Sequence, residues 1–180
     1  MGAMDMAHSV DAQRFKEGMR RLVGAVCIVT LADEGCRAGL TATAVCSISA
    51  EPPRLLVCIN RSVFAHGLVA TGRPLCVNVL TAEQMDQAKR FAGMVEGVAG
   101  EDRFASGSWA LPSVGAPELT SALACFQCSI AEVLPAASHS IVICDVVGVG
   151  MAAKATDAHA AALVYFDGRF MSVAEVQTNQ

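Results

Sequence analysis

From Gly24 onward the sequence runs as short β-rich segments broken at close intervals by turn residues, and that rhythm rules out most architectures. Strand-like runs fall at residues 25–31, 38–48, 54–59 and 75–80, then at 123–133, 140–149 and 163–166, with a last one at 170–173. Between the first runs stand Asp33-Glu34-Gly35, Glu51-Pro52-Pro53, Asn60-Arg61-Ser62 and Thr71-Gly72-Arg73-Pro74, combinations that turn the chain or break a ladder. Regular alternation of strand and helix is missing, which disfavours a doubly wound parallel sheet. Many short strands with few helices favour an antiparallel barrel or sandwich, and closing a barrel also protects its edges.

Helices are few. Ser9 is expected to cap a first amphipathic helix, with Asp11 in its first turn and Phe15, Met19 and Leu22 recurring at spacings of four and three. Two short helices are expected at residues 63–70 and 82–91. The second opens on Thr81 with Gln84 three residues later, the reciprocal cap that satisfies two backbone amides. Phe64 and Leu68 read as packing residues of the first. Residues 93–115, rich in Gly, Ser and charge, are expected to form a surface excursion, with Trp109 serving dimer packing or a lid. No composition break divides residues 1–180, so one domain is expected, with residues 1–8 disordered ahead of it.

Hydrophobic residues make up 53% of the chain and charged ones 17%, more apolar surface than one monomer accounts for, so an oligomer is expected. The longest apolar runs fall short of the roughly 20 residues a membrane helix needs, and the first residues lack the basic start and apolar core of a signal peptide. The expectation is a cytoplasmic protein without a membrane partner. A net charge of -4 with scattered basic residues gives nucleic-acid binding little electrostatic support.

Of the eight cysteines, Cys27, Cys46, Cys58, Cys76 and Cys144 lie within apolar runs and read as small hydrophobes. Cys125 and Cys128 form a lone Cys-x-x-Cys with no second pair, and on a strand they would face opposite ways, so no metal is expected. Gly148-Val149-Gly150 ending at Ala153 matches a weak dinucleotide fingerprint, but no βα alternation surrounds it, and the glycines read as a strand end or bulge.

A more informative stretch runs from Gly39 to Ser62. Small hydroxyl and methyl side chains replace the bulky ones of a core strand, which lets a flat ligand approach the backbone, while Thr41, Thr43, Ser47, Asn60 and Ser62 offer polar partners. On composition alone, an ordinary Thr/Ser-rich strand pair and turn is the favoured account of the same residues.

Taken together, several segments resemble one family. They are residues 39–49, Glu51-Pro52-Pro53, Leu56-Val57-Cys58-Ile59-Asn60, Leu75-Cys76-Val77-Asn78-Val79-Leu80, and Gln84 with Arg90-Phe91-Ala92-Gly93. After these come Asp102-Arg103-Phe104 with Trp109, Ser138-His139-Ser140-Ile141, and Leu163-Val164-Tyr165-Phe166 with Arg169-Phe170. In this order, from about Phe15 to Phe170, they resemble the flavin reductase family, the small reductase components of two-component flavin-dependent monooxygenases.

The resemblance implies a mainly β fold, a split β-barrel of Greek-key antiparallel strands with short flanking helices, and a homodimer with flavin near the interface. It implies an NAD(P)H:flavin oxidoreductase that reduces FMN or FAD, with NADH or NADPH as co-substrate, and passes the reduced flavin by diffusion to an oxygenase. Carried over by motif, Thr41, Ala42, Thr43, Ala44 and Ser47 line the flavin, with Cys58, Ile59 and Phe91 beside them. Asn60 and Ser62, with the helix after them, hold its phosphate end. His139 is implied to contact the nicotinamide nucleotide, although a locally satisfied strand-end histidine would look the same. His66, Tyr165, Phe166 and Arg169 are candidates for closing the pocket; the last three could equally finish the barrel. No side chain is required as acid or base, since hydride transfer belongs to the cofactors. The alternative is an FMN-binding electron-transfer protein on the same barrel without rapid NAD(P)H turnover.

Overall fold

A computed structural model describes residues 10–113, 115–151 and 161–173. The expected disorder of residues 1–8, and the expected cap Ser9, lie outside the described residues. Helix α1 spans Ala12–Met19, and its cap is Asp11, whose carboxylate accepts from the backbone N–H groups of Gln13 at 3.3 Å and Arg14 at 3.4 Å. Asp11 therefore stands at the N-cap itself rather than inside the first turn. The apolar face of α1 is not covered by the other described residues: Phe15 is 59% exposed and Met19 48%.

Strands β1 (Gly24–Ala25), β2 (Cys27–Asp33), β3 (Cys36–Ala42), β4 (Val45–Ala50) and β5 (Pro53–Asn60) follow in close succession. After β6 (Pro74–Val79) comes α2 (Met85–Phe91), then the short strands β7 (Trp109–Ala110) and β8 (Glu118–Leu119). Two long strands, β9 (Ala124–Ala136) and β10 (His139–Met151), form a hairpin, and β11 (Ala162–Phe166) and β12 (Arg169–Val173) complete the set. The main sheet is seven-stranded and antiparallel, in the order β3-β2-β6-β9-β10-β5-β4.

That order explains the barrel. The sheet's two edges, β3 and β4, are consecutive in the chain and joined only by Thr43 and Ala44. So short a link can connect opposite edges only if the sheet curls until they meet. The backbone N–H of Cys58 donates to the Ala44 carbonyl at 3.0 Å and pins the seam. The single run expected at 38–48 is thus two strands, broken where the barrel splits.

β2 is apolar throughout because it is buried on both faces. Val29 and Leu31 point into the barrel interior with Val57, Ile59, Leu75 and Val142, while Ile28 points outward into a second core with Leu80, Phe91, Phe104 and Leu163. Each such fully buried side chain contributes about 1.5–3 kcal/mol relative to an exposed one. Cys128 belongs to the inner core and Cys125 to the outer one, as their spacing on a strand requires.

Residues 93–115 are mostly exposed, as a surface excursion would be, but they also contribute to the second core. A 3-10 helix, Gly100–Ala105, buries Phe104, whose ring meets Phe91 edge-on at 5.0 Å and Trp109 at 5.0 Å. Trp109, half-buried, is part of this aromatic trio. The following segment is tied down by buried polar groups: Thr30 Oγ1 donates to the Pro117 carbonyl at 2.6 Å, and Asn78 Oδ1 accepts from the Leu119 N–H at 2.7 Å.

Residues 82–91 form a 3-10 turn, Ala82–Gln84, leading into α2, with the reciprocal Thr81–Gln84 cap in place. Residues 63–70 yield only a five-residue 3-10 helix, Phe64–Leu68; Leu68 packs on the barrel, but Phe64 is 67% exposed rather than packed. The β9–β10 register shifts between Val146 and Gly148, so the glycine pair marks a bulge rather than a nucleotide loop. No helix among the described residues is long and apolar enough to cross a membrane.

Candidate functional site

The barrel seam opens into a cleft of about 300 Å³. One wall is the end of β3 and the seam itself, Thr41 to Ala44, where small side chains leave the backbone approachable. The facing wall is Cys58 and Asn60 from β5, with Val63 beyond them. Phe91 and Ala92 at the end of α2, Arg103 from the Gly100–Ala105 helix, and His139 at the start of β10 complete the lining.

Thr41, Asn60, Arg103 and His139 are already oriented by the fold. Thr41 Oγ1 donates to the Ala88 carbonyl of α2 at 2.7 Å, so toward a ligand this hydroxyl can only accept. His139 Nδ1 lies 2.9 Å from the Ser138 hydroxyl, which fixes the ring and leaves Nε2 without a described partner. His139 and Asn60 are register partners across the β5–β10 ladder. Phe91 is almost fully buried and approaches β3 closely because residue 39 is glycine: a Cβ there would stand 2.6 Å from Phe91 Cε1.

Arg103, like Leu40, Val63 and Ala92, stands in this lining although the sequence did not single it out for the site. Its Nη1 donates to the carbonyls of Gly39 at 3.2 Å and Phe91 at 3.0 Å, while its Nε is sealed from water with no partner. A lone arginine in a loop offers no spacing signal; its only trace was the Asp102-Arg103-Phe104 run within the family resemblance. Among the described residues no carboxylate lines the cleft, and Arg103 is the one permanently charged group there.

The structure therefore brings together Thr41, Ala42, Thr43, Ala44, Cys58, Asn60, Phe91 and His139. Other expected residues lie elsewhere. Ser47, on β4, borders a separate groove of about 250 Å³ with Arg54 and Phe126. The Ile59 side chain is fully buried in the inner core. Ser62 directs its N–H and its hydroxyl to Asn60 Oδ1, both at 2.9 Å, closing a local turn. His66 Nε2 sits 2.9 Å from the Ser140 hydroxyl on the barrel wall. Tyr165 meets Phe170 edge-on at 5.2 Å and lines a neighbouring groove with Phe15 and Met19, which shares Thr43 and Ala44 with the cleft. Phe166 and Arg169 flank the β11–β12 turn outside both.

A larger hollow of about 620 Å³ beside the β2–β3 turn is bordered by Asp33, Glu34 and Glu101. With three carboxylates against one cation, Arg37, which is paired with Glu101, its border is net acidic, and it lies apart from the small-residue seam.

Residues 19–174 match the model of the flavin reductase like domain family. The chain is 40% identical over 169 residues to an FMN reductase (NADH) RutF of Methylorubrum populi, covering 94% of this chain and 80% of that one. It is 42% identical over 156 residues to the protein of the same name from Agrobacterium fabrum, covering 87% and 85%. Among solved structures, BorF, the flavin reductase component of a bacterial two-component tryptophan halogenase, superposes with a TM-score of 0.78 at 27% identity, covering 92% of this chain and all of that one.

Proposed function

Taking as premise that this chain belongs to the flavin reductase family, we propose that it is an NADH-dependent FMN reductase whose reduced flavin serves a partner oxygenase. The observation that carries the reading is the seam cleft: a slot walled by Ala42, Thr43 and Ala44, flanked by His139 and Arg103, with no carboxylate to repel a phosphorylated ligand. These residues fit a flavin nucleotide, which is flat, polar at one ring edge and anionic at its tail. When bound, the flavin supplies the redox chemistry by accepting a hydride from the nicotinamide. The chain's own part is to orient the two ligands and exclude competing geometries. Thr41 offers an acceptor, Asn60 a side-chain amide, Phe91 a rigid apolar backing, and His139 Nε2 a polar contact for the nicotinamide nucleotide.

The same reading takes residues 1–180 as one functional unit that works as a homodimer in the cytoplasm. Support for the dimer comes from apolar side chains left uncovered within one chain: Phe15 and Met19 on α1, and Val147 and Met151 on β10, which are 70% and 78% exposed. Eight unpaired thiols fit a reducing compartment. Anaerobic bleaching of excess FMN by NADH with catalytic amounts of protein tests the function; FMN that stays oxidised overturns it.

A further inference from the structure

Ser138 is held more firmly than a turn residue need be. Strands β9 and β10 pair from Ala136 opposite His139, so only Ala137 and Ser138 make the hairpin turn. Ala137 takes a φ of +50°, the left-handed region that tight hairpin turns use. The Ser138 carbonyl then accepts from the Arg61 N–H at 3.0 Å, which ties the turn to the residue after Asn60. Asn60 is itself the register partner of His139, so the turn, the end of β5 and the imidazole form one unit at the rim of the cleft.

Two serines flank His139, and they serve different rings. Ser138 Oγ stands 2.9 Å from His139 Nδ1. Ser140 is buried on the opposite face of β10, with its hydroxyl 2.9 Å from His66 Nε2. Among the described residues no carboxylate lines the cleft, so Ser138 orients the imidazole without adding charge. Which nitrogen of a neutral imidazole carries the proton is set by the bond that the other nitrogen makes. A hydroxyl that donates to Nδ1 leaves the proton on Nε2 and makes Nε2 a donor. A nicotinamide nucleotide suits a donor, because its carboxamide, riboses and pyrophosphate all carry acceptor oxygens.

Resting on the reading that His139 meets the nicotinamide nucleotide, we infer that Ser138 is a positioning residue for that contact: its hydroxyl donates to His139 Nδ1, holds the imidazole proton on Nε2 and aims that N–H at an oxygen of the nucleotide. Ser138 itself touches neither ligand. Without it the ring turns and exchanges tautomers, and the nucleotide loses a donor that was oriented before it arrived. Flavin binding, which uses the small-residue seam, is unaffected.

Nitrogen NMR and steady-state kinetics of the full-length protein test this. In imidazole-labelled wild type with the ring neutral, His139 shows the shifts of the Nε2-protonated tautomer, and Ser138→Ala moves them toward a mixture. Ser138→Ala raises the NADH KM roughly two- to fivefold at saturating FMN, with kcat held within about twofold and FMN affinity unchanged. Ser138→Thr, which keeps the hydroxyl, retains the wild-type KM. In a His139→Ala background Ser138→Ala adds nothing, because it acts only through the ring. An Nδ1-protonated ring in wild type overturns the inference, and so does a KM that His139→Ala raises but Ser138→Ala leaves alone. An equal rise in both backgrounds would assign Ser138 to the turn or to a contact of its own, and overturn it as well. If His139→Ala leaves the NADH KM unchanged, the nucleotide reading of His139 falls and takes this inference with it. The tautomer measurement uses unaltered protein, so it decides the matter even where a variant does not fold.

Discussion

Asn60 and His139 are direct cross-strand partners on β5 and β10, which puts both side chains on the lining of one cleft. Facing pairs in an antiparallel ladder stand within side-chain reach of each other, so a ligand against one meets the other. With Nδ1 beside the Ser138 hydroxyl at 2.9 Å, His139 presents Nε2 to whatever enters.

His139→Ala is therefore expected to raise the NADH KM by roughly two- to tenfold, the range for one lost hydrogen bond, with FMN affinity little changed. Steady-state kinetics at saturating FMN read it out. An unaltered KM removes His139 from the nicotinamide contact.

Gly39→Ala should destabilise the protein by about 1–3 kcal/mol, because the new methyl would stand 2.6 Å from Phe91 Cε1 and neither β3 nor the aromatic trio can yield. Thermal melting measures the loss. Adding Phe91→Leu should recover part of the stability but not FMN binding, since the cleft then lacks its aromatic backing.

Thiol reactivity separates cleft from core. Burial pushes the Cys27 thiol up to about 12, while Cys76 and Cys144 are raised first by hydrogen bonds with Cys125 and Cys128 respectively and then by burial. These groups stay protonated at neutral pH and unreactive. Cys46 is exposed and Cys58 half-buried on the cleft wall. Native labelling with iodoacetamide, read by peptide mass spectrometry, should modify Cys46 and, more slowly, Cys58, and FMN should protect Cys58 alone. Labelling of Cys58 that ignores FMN would place the flavin elsewhere.

The segment carrying Arg103 is anchored by an ion pair that acid should release. Partial burial raises the Glu101 carboxyl, but the Arg37 side-chain and backbone donors, at 2.6 and 3.0 Å, and the Arg37 charge outweigh it and hold the group below the usual carboxylate range. A folded pKa below the unfolded one adds stability that is complete above the ordinary range and is lost as pH falls through the lowered value. Glu101→Gln should thus be less stable than wild type at neutral pH, by under about 1 kcal/mol because both partners are solvated, and the gap should close on acidification below about pH 4. Denaturant melts across pH check the direction.

Much of the barrel was legible because its signals are local. Pro and Gly breakers bound the strands, alternation assigned Cys125 and Cys128 to opposite faces, and Thr81 with Gln84 announced a cap that forms as expected. What stayed hidden was set at long range. Nothing in residues 38–48 says that the chain must break at Thr43, because the break follows from two sheet edges meeting. Ser62 looked like a phosphate donor until its turn with Asn60 was seen to use its N–H and hydroxyl. Phe104 and Trp109 sat in a loop-like composition, yet they complete a core whose other half lies on β2 and α2. Arg103 was invisible for the same reason: its role depends on carbonyls from Gly39 and Phe91.

The account stands most directly on NADH consumption by the purified protein under air, with and without added FMN. It predicts negligible oxidation alone and sustained oxidation, many turnovers per protein, once FMN is supplied. NADH consumption that FMN does not accelerate would contradict it.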